Sequence, residues 1–503
     1  MNNTSLKDIP FADELRGIDR VFDPASAALK PRNKVISSLE EAVRLSGLRD
    51  GMTISFHHHF RNGDYIVGDV VDTLAGMGFK NLVLAASSLT DCHYPLIEHI
   101  KNGVIRRIET SGLRGKLADA VSHGLMEVPV VFRSHGGRAG AIDTGVIDIG
   151  VAFLGAPSCD PAGNANGYAR DTDGGIMCGS MGYAKCDAAR AKKTIIITNK
   201  IVDYPNAPFA ISEHEVDYIV ETSRIGDSAG IMTGATRFTK NPKELLMAEL
   251  ACNVIAASGR FKDGFSFQTG TGGASLAVTR FLRDLMLAQD IKARFALGGI
   301  TGSIVELHEE GLIKRLIDVQ GFDLKAAESL RDNRFHQQIS ASFYASPFNP
   351  GAAVNQLDVV VLSALEADCG FNVNVLTGSD GVIRGAIGGH PDTAYGAAVS
   401  IVVLPLTRGR IPCVVKKVET NVTPGETVDV IVTDHGVAVN PRRADLAERF
   451  AASGLPLQTI EALQKKAESI VGDPDPIEYL DRIVGVVTYR DGSVMDVVRQ
   501  VKD

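Results

Sequence analysis

The chain has 503 residues, 45% hydrophobic and 22% charged, with a formal net charge of −8. That length favours more than one domain, the composition is that of a soluble globular protein, and the acidic balance argues against a nucleic-acid partner. No apolar run reaches the ~18 residues of a membrane span, so no membrane association is expected. The start "MNNTSLKDIPFADELRG" lacks the charged and apolar regions of a signal peptide. Seven scattered cysteines, none in a CxxC pair, fit reduced thiols in a cytoplasm.

Apolar β-rich runs alternate with helical patterns along nearly the whole chain, which predicts parallel α/β sheets. In chain order the first strand candidates are "TISF" (53–56), "NLVLAAS" (81–87), "VPVVF" (128–132), "DIGVAFLGA" (148–156) and "TIIIT" (194–198). The later ones are "FSFQTG" (265–270), "ARFALGG" (293–299), "DVVVLSAL" (358–365), "IVVLPL" (401–406) and "VDVIV" (428–432). "DVVDTLAGM" (69–77) and "ASLAVTRFLRDLM" (274–286) carry helical periodicity.

The pattern is written twice. Asp160, Asn164 and Asn166 spell D-x-x-x-N-x-N, and so do Asp368, Asn372 and Asn374. The same spacing separates "GVIRRI" (103–108) from "GLIKRL" (311–316). Near the start of each half a helix runs through Ser-Gly and Asp-Gly into a strand. Two tandem α/β domains of one fold are therefore expected, 1–235 and 236–503, with 201–235 as a connector. Asn241 and Pro242 read as the N-cap and first residue of the second domain's lead helix.

Open parallel sheets bind ligands beyond the carboxyl ends of their strands. Glu366, Asp368, Asn372 and Asn374 would then stand on one wall of an interdomain cleft, with Asp160, Asn164 and Asn166 opposite. The same Asp and Asn residues also suit the turns that close strands. "HHH" (57–59) follows a strand, but successive residues of an extended chain point to opposite sides, and no acidic or Cys partner completes a ligand set. No metal is expected. No GxGxxG with a following acidic residue marks a dinucleotide site.

"DVVVLSALEADCGFNVN" followed by "GVIRGAIGGHPD" (381–392) resembles the second domain of CoA-transferases and acyl-CoA hydrolases. "FHHHFRNGDYIVG", "ETSGLRGKLADAVSHG", "VVFRSHGGRAGAI" and "GAPSCDPAGNANG" resemble the citrate lyase α-subunit family, over almost the full chain. The resemblance implies a tandem CoA-transferase-type fold, mostly parallel sheets with flanking helices. It also implies an activity: acetyl-S-carrier protein plus citrate giving citryl-S-carrier protein plus acetate. The implied partners are the β subunit that cleaves the citryl thioester and the γ subunit, an acyl carrier. The γ subunit brings a CoA-derived arm, so no tightly bound cofactor is expected; a homo-oligomer is.

That chemistry needs oxyanion donors, cations for the citrate carboxylates and exclusion of water. Gly-rich turns can supply the donors: Gly270, Gly272 and Gly273 in "QTGTGGAS", Gly298 and Gly299 in "LGGITGS", Gly388 and Gly389 beside His390 in "GAIGGH". The first two turns, with Glu366, Asp368, Asn372 and Asn374, are assigned to the thioester arm. Gly302, Gly388, Gly389 and His390 are assigned to catalysis. Arginine forks bind carboxylates bidentately. Arg133 and Arg138 lead the candidates for citrate, then Arg61 and Arg114, with His135, Asn164 and Asn166 alongside.

Many CoA-transferases of this fold use a glutamate in a motif near L-G-I-H-T-E. Here the matching stretch is "LGGITGS", and the glutamate position falls on Gly302. A transfer through a ternary complex, without an enzyme thioester, follows from that departure. The alternatives are an ordinary CoA-transferase or acetyl-CoA hydrolase using Glu366 or another carboxylate, and a non-catalytic scaffold for a carrier protein.

Overall fold

The structure is a computed structural model and describes residues 10–14, 33–169, 175–232, 239–270 and 272–502. Two large sheets carry it. In the first, the strand order is Val35–Ile36, Tyr218–Glu221, Lys193–Thr198, Ile149–Ala156, Thr53–Phe56, Leu82–Ala86, Ile105–Thr110, Val130–Phe132, Tyr479–Thr488, Val494–Val501. All neighbours are parallel except the last pair. In the second, the order is His336–Gln338, Leu316–Gly321, Phe295–Ile300, Ser266–Thr269, Val359–Ser363, Val399–Val403, Val430–Thr433, Gly436–Val439. Again only the last pair is antiparallel.

The two orders superpose. Thr53–Phe56 lies between Leu82–Ala86 and Ile149–Ala156, as Ser266–Thr269 lies between Phe295–Ile300 and Val359–Ser363. The next strands outward match on both sides. Every residue of Ile149–Ala156 is buried, as a central strand covered by helices on both faces requires. The lead helix Pro242–Ala257 begins as its sequence dictates, with Asn241 accepting the Lys243 amide at 3.0 Å and proline first in the helix.

The halves are not separable where the sequence suggested. The 235/236 boundary lies outside the described residues. The expected connector 201–235 holds strand Tyr218–Glu221, which pairs in the first sheet and takes the place that Val430–Thr433 takes in the second. The C-terminal hairpin, Tyr479–Thr488 with Val494–Val501, crosses back and extends the first sheet along Val130–Phe132. Leu376, Ile383, Ile387 and Val422 likewise sit in the first core. A further apolar cluster joins Ala139, Tyr183 and Cys186 to Leu297, Val319, Ile339 and Tyr344 across the seam.

Backbone approach at this seam is close. A side-chain carbon at Gly136 would stand 2.1 Å from the Ala345 carbonyl oxygen and 2.6 Å from Asp392 Oδ1. At Gly68, inside helix Ile66–Gly76, it would meet nothing within 4 Å. Gly136→Ala is expected to destabilise by about 1–3 kcal/mol, and Gly68→Ala to stabilise by about 0.5–1 kcal/mol through helix propensity. Urea unfolding of the two variants checks both signs.

Candidate active site

The carboxyl ends of both sheets converge on a cavity of about 350 Å³. His58 follows Thr53–Phe56, Ser88 follows Leu82–Ala86, Ser111 follows Ile105–Thr110 and His135 follows Val130–Phe132. From the second half come Gly270, Gly299, Gln320, Phe322 and Ser363, at or just after their strands. This is where an open parallel sheet gathers its ligand groups, here doubled.

Hydrogen bonds hold the halves together around the cavity. Ile387 donates its amide to Ser111 O at 2.7 Å, and His135 donates its amide to Gly388 O at 2.8 Å. Gln320 Nε2 donates to His58 O at 3.2 Å. Asp392, fully buried, accepts from Ser134 Oγ at 2.9 Å and from the Gly136 amide at 2.8 Å. Arg490, at the turn of the C-terminal hairpin, lies 3.5 Å from the same carboxylate.

The electrostatics are cationic. Arg61 and Arg114 line the cavity, and neither has a carboxylate partner among the described residues. Arg61 holds its guanidinium over the Phe322 ring at 4.9 Å, and its Nη1 is buried with no partner. Burial, then the charge of Arg114, lowers the Arg61 pKa to about 10. The helices Gly115–Ser122, His135–Asp143 and Gly273–Gln289 begin at the cavity wall, adding the positive ends of their dipoles. No aspartate, glutamate or cysteine lines the cavity among the described residues.

Its histidines are neutral. Burial pushes His390 down to about 4 and His135 to about 3, and His58 well below the ordinary value. His58 Nδ1 pairs with Ser87 Oγ at 2.5 Å, and its ring stacks on His135 with centroids 5.8 Å apart. His390 Nδ1 pairs with Thr423 Oγ1 at 2.7 Å, leaving Nε2 without a partner. No group of metal-binding side chains forms among the described residues.

Of the residues singled out in the sequence, Arg61, Arg114, His135, Gly270, Gly272, Gly299, Gly388, Gly389 and His390 meet here. The Gly388 and Gly389 amides take no acceptor among the described residues. Others do not reach the cavity. Arg133 is taken by Glu109, Nε to Oε2 at 2.9 Å. Arg138 is buried in a bidentate pair with Asp187, at 2.7 and 2.9 Å. The order of the arginines is thus reversed: Arg133 and Arg138 are engaged by Glu109 and Asp187, while Arg61 and Arg114 line the cavity. The Gly302 amide caps onto Asp323 at 2.6 Å and cannot serve as an oxyanion donor. Gly273 and Gly298 lie behind the wall.

The paired D-x-x-x-N-x-N sets are turn organisers, not cleft walls. Asp160 Oδ1 accepts the amides of Ala162, Gly163 and Asn164, and Asp368 Oδ1 those of Gly370 and Asn372. Asn164 and Asn372 donate back to those carboxylates. Asn166 donates to Pro208 O, and Asn374 to Glu366 Oε2 and Thr377 O. Glu366 faces a separate cavity with Lys416 and Lys417. Sequence reasoning missed Tyr183, Gln268, Gln320 and Tyr344. Tyr183 and Tyr344 sit in short amphipathic helices whose pattern reads as core, and only the seam turns them towards a ligand.

Two like α/β halves meeting around a cationic cavity make this an enzyme of the CoA-transferase type. The family model "Citrate lyase, alpha subunit (CitF)" matches residues 32–501, and the chain belongs to that family. The citrate lyase alpha chain of Klebsiella pneumoniae is 59% identical over 479 residues, 95% of this chain and 94% of that one. That of Escherichia coli K12 is 58% identical over 470 residues, 93% and 91%. A Streptococcus mutans citrate lyase alpha subunit, solved in complex with citrate, has a TM-score of 0.91 at 56% identity, covering 96% of this chain and 93% of that one. A Pseudomonas malonate decarboxylase structure shares the fold alone, at TM-score 0.66 and 15% identity over 87% and 86% of the two chains. No helix among the described residues is long and apolar enough to cross a membrane.

The buried histidines set a pH dependence of stability. Unfolded, each titrates near about 6.5. Folded, they stay neutral there, so below that value the unfolded chain binds more protons and stability falls with falling pH. Their contribution is complete above about 6.5 and is lost towards pH 4. His93 works in another window. Burial opposes its charge, but the Asp64 hydrogen bond at 3.2 Å and Cys92 raise its pKa to about 9, so its contribution is lost only as pH rises towards that value. Urea unfolding between pH 7 and 5 is expected to show the acid-side slope. His390→Asn is expected to reduce it by at most about 1.4 kcal/mol per pH unit.

Proposed function

We propose that the chain moves the thiol of an acyl carrier protein from an acetyl thioester to citrate. A citrate carboxylate attacks the acetyl carbonyl, and a tetrahedral oxyanion forms. It collapses with loss of the carrier thiolate, leaving an acetyl–citryl mixed anhydride. The thiolate then attacks the citryl carbonyl, acetate departs, and citryl-S-carrier protein remains. Both acyl groups occupy the site together, and no enzyme thioester forms.

The observation that carries this reading is a cavity in which, among the described residues, two arginines have no carboxylate partner and no carboxylate lines the wall. A covalent route needs an acidic side chain at the thioester, and the sequence candidates lie elsewhere. Glu306 pairs with Lys325 on the outer side of helix Gly302–Glu309. Glu366 is held by Asn374 and the Glu419 amide, facing a different cavity. Arg61 and Arg114 suit citrate, which carries about three negative charges at neutral pH. The unpaired Gly388 and Gly389 amides suit the oxyanion, with His390 Nε2 beside them. The citrate in the Streptococcus mutans relative agrees with such a site. The partners are then a carrier subunit with a CoA-derived arm and a lyase subunit that takes the citryl thioester, in a cytoplasmic complex holding more than one copy of this chain.

Mixing the protein with acetylated carrier and labelled citrate is expected to give labelled citryl carrier. Arg61→Met is expected to raise the citrate KM by about 10- to 100-fold, from the loss of a charged hydrogen bond. Glu306→Gln and Glu366→Gln are expected to keep transfer. Hydroxylamine treatment after incubation with the acyl donor should modify no glutamate; a stable label on either residue would reverse the assignment.

A further inference from the structure

Tyr344 comes from the short helix Ala341–Ala345 and reaches the cavity from the second half. Its ring is buried in the apolar seam, and its hydroxyl stands at the wall. Gln268, at the carboxyl end of the central strand Ser266–Thr269, donates Nε2–H to Tyr344 Oη at 2.9 Å. That bond occupies a lone pair of the phenol and leaves its proton. The hydroxyl makes no other hydrogen bond among the described residues. A side-chain carbon at Gly389 would begin 2.7 Å from Tyr344 Oη, so the hydroxyl adjoins the turn whose amides are unpaired.

We propose that the Tyr344 hydroxyl is a catalytic oxyanion donor, aimed into the cavity by Gln268 beside the Gly388 and Gly389 amides. Burial holds the phenol above its ordinary pKa, so it keeps its proton across the neutral range. A phenol whose oxygen already accepts a hydrogen bond is a better donor, since the bonds polarise each other. Its aim is fixed before substrate arrives, which is what makes such a donor effective in a site closed to water. Gln268 Oε1 and Thr269 Oγ1, on the same wall, are also buried without partners. Gln268 acts through Tyr344 and is the positioning residue.

The proposal rests on the thioester reading above, and the test separates the two. Citryl-carrier formation is measured with the full chain, acetylated carrier and labelled citrate. If the wild type forms none, both readings fall. If it does, Tyr344→Phe is expected to lower kcat about 100-fold, the range for loss of one oxyanion donor. The citrate KM should stay within about twofold and the unfolding midpoint near that of the wild type. A kcat within about threefold of the wild type, or a loss carried by KM, overturns the assignment. Gln268→Leu, which leaves the hydroxyl but not its aim, is expected to cost about tenfold in kcat. The double variant should be no slower than Tyr344→Phe. Additive losses would show that Gln268 acts on its own and overturn the positioning role. Should Tyr344→Phe not fold, Gln268→Leu decides alone: an unchanged kcat rejects the proposal, a tenfold fall at constant KM sustains it.

Discussion

Asp392 is a fully buried carboxylate that ties its own segment to two others far away in sequence. It accepts from Ser134 and Gly136 at the start of helix His135–Asp143, and it faces Arg490 in the C-terminal hairpin. Arg490 in turn donates to Ala345 O at 3.1 Å, next to Tyr344. Burial alone raises the carboxyl's pKa, and the guanidinium and donors act against that. Breaking a buried pair of this kind by removing one partner typically costs about 3–5 kcal/mol. The pair is one of the contacts that hold the two sheets face to face. The cavity follows from it, because His135, Gly388, Gly389 and Tyr344 all hang on segments that Asp392 and Arg490 hold.

The duplicated fold divides the chemistry. The first half supplies the cations and the stacked histidines, Arg61, Arg114, His58 and His135. The second lines it with neutral groups, the Gly388–Gly389 turn, Gln268 and Tyr344, which the proposed reaction uses as donors and their support. Each half alone would present polar strand ends to water, where hydrogen bonds to an oxyanion are weak. Face to face, they enclose charge and donors in one cavity. The returning hairpin and the shared cores make the seam part of folding rather than a docking event.

Much of the fold was legible in the sequence because it rests on local patterns. The apolar runs named strands, the Asn241–Pro242 start named a helix, and the repeated motifs named the duplication. The return of residues 479–501 to the first sheet was not legible, since a hairpin's own alternation does not say which edge it will join. The repeated Asp and Asn residues were visible, and their role was misread. A carboxylate that organises its own turn leaves the same mark in sequence as one that faces a ligand, and only its hydrogen bonds tell them apart. The arginines failed for a related reason: nothing local shows that Asp187 fills the fork of Arg138.

The chain as a whole is acidic, at −8, yet the cavity lining holds arginines and no carboxylate among the described residues. Such a site draws in anions. In the proposed reaction the carrier thiol passes directly between substrates held together, with proximity and oxyanion binding as the levers of the protein. Glycine at position 302 fits that economy from the other side. Its amide anchors the start of helix Gly302–Glu309 on Asp323.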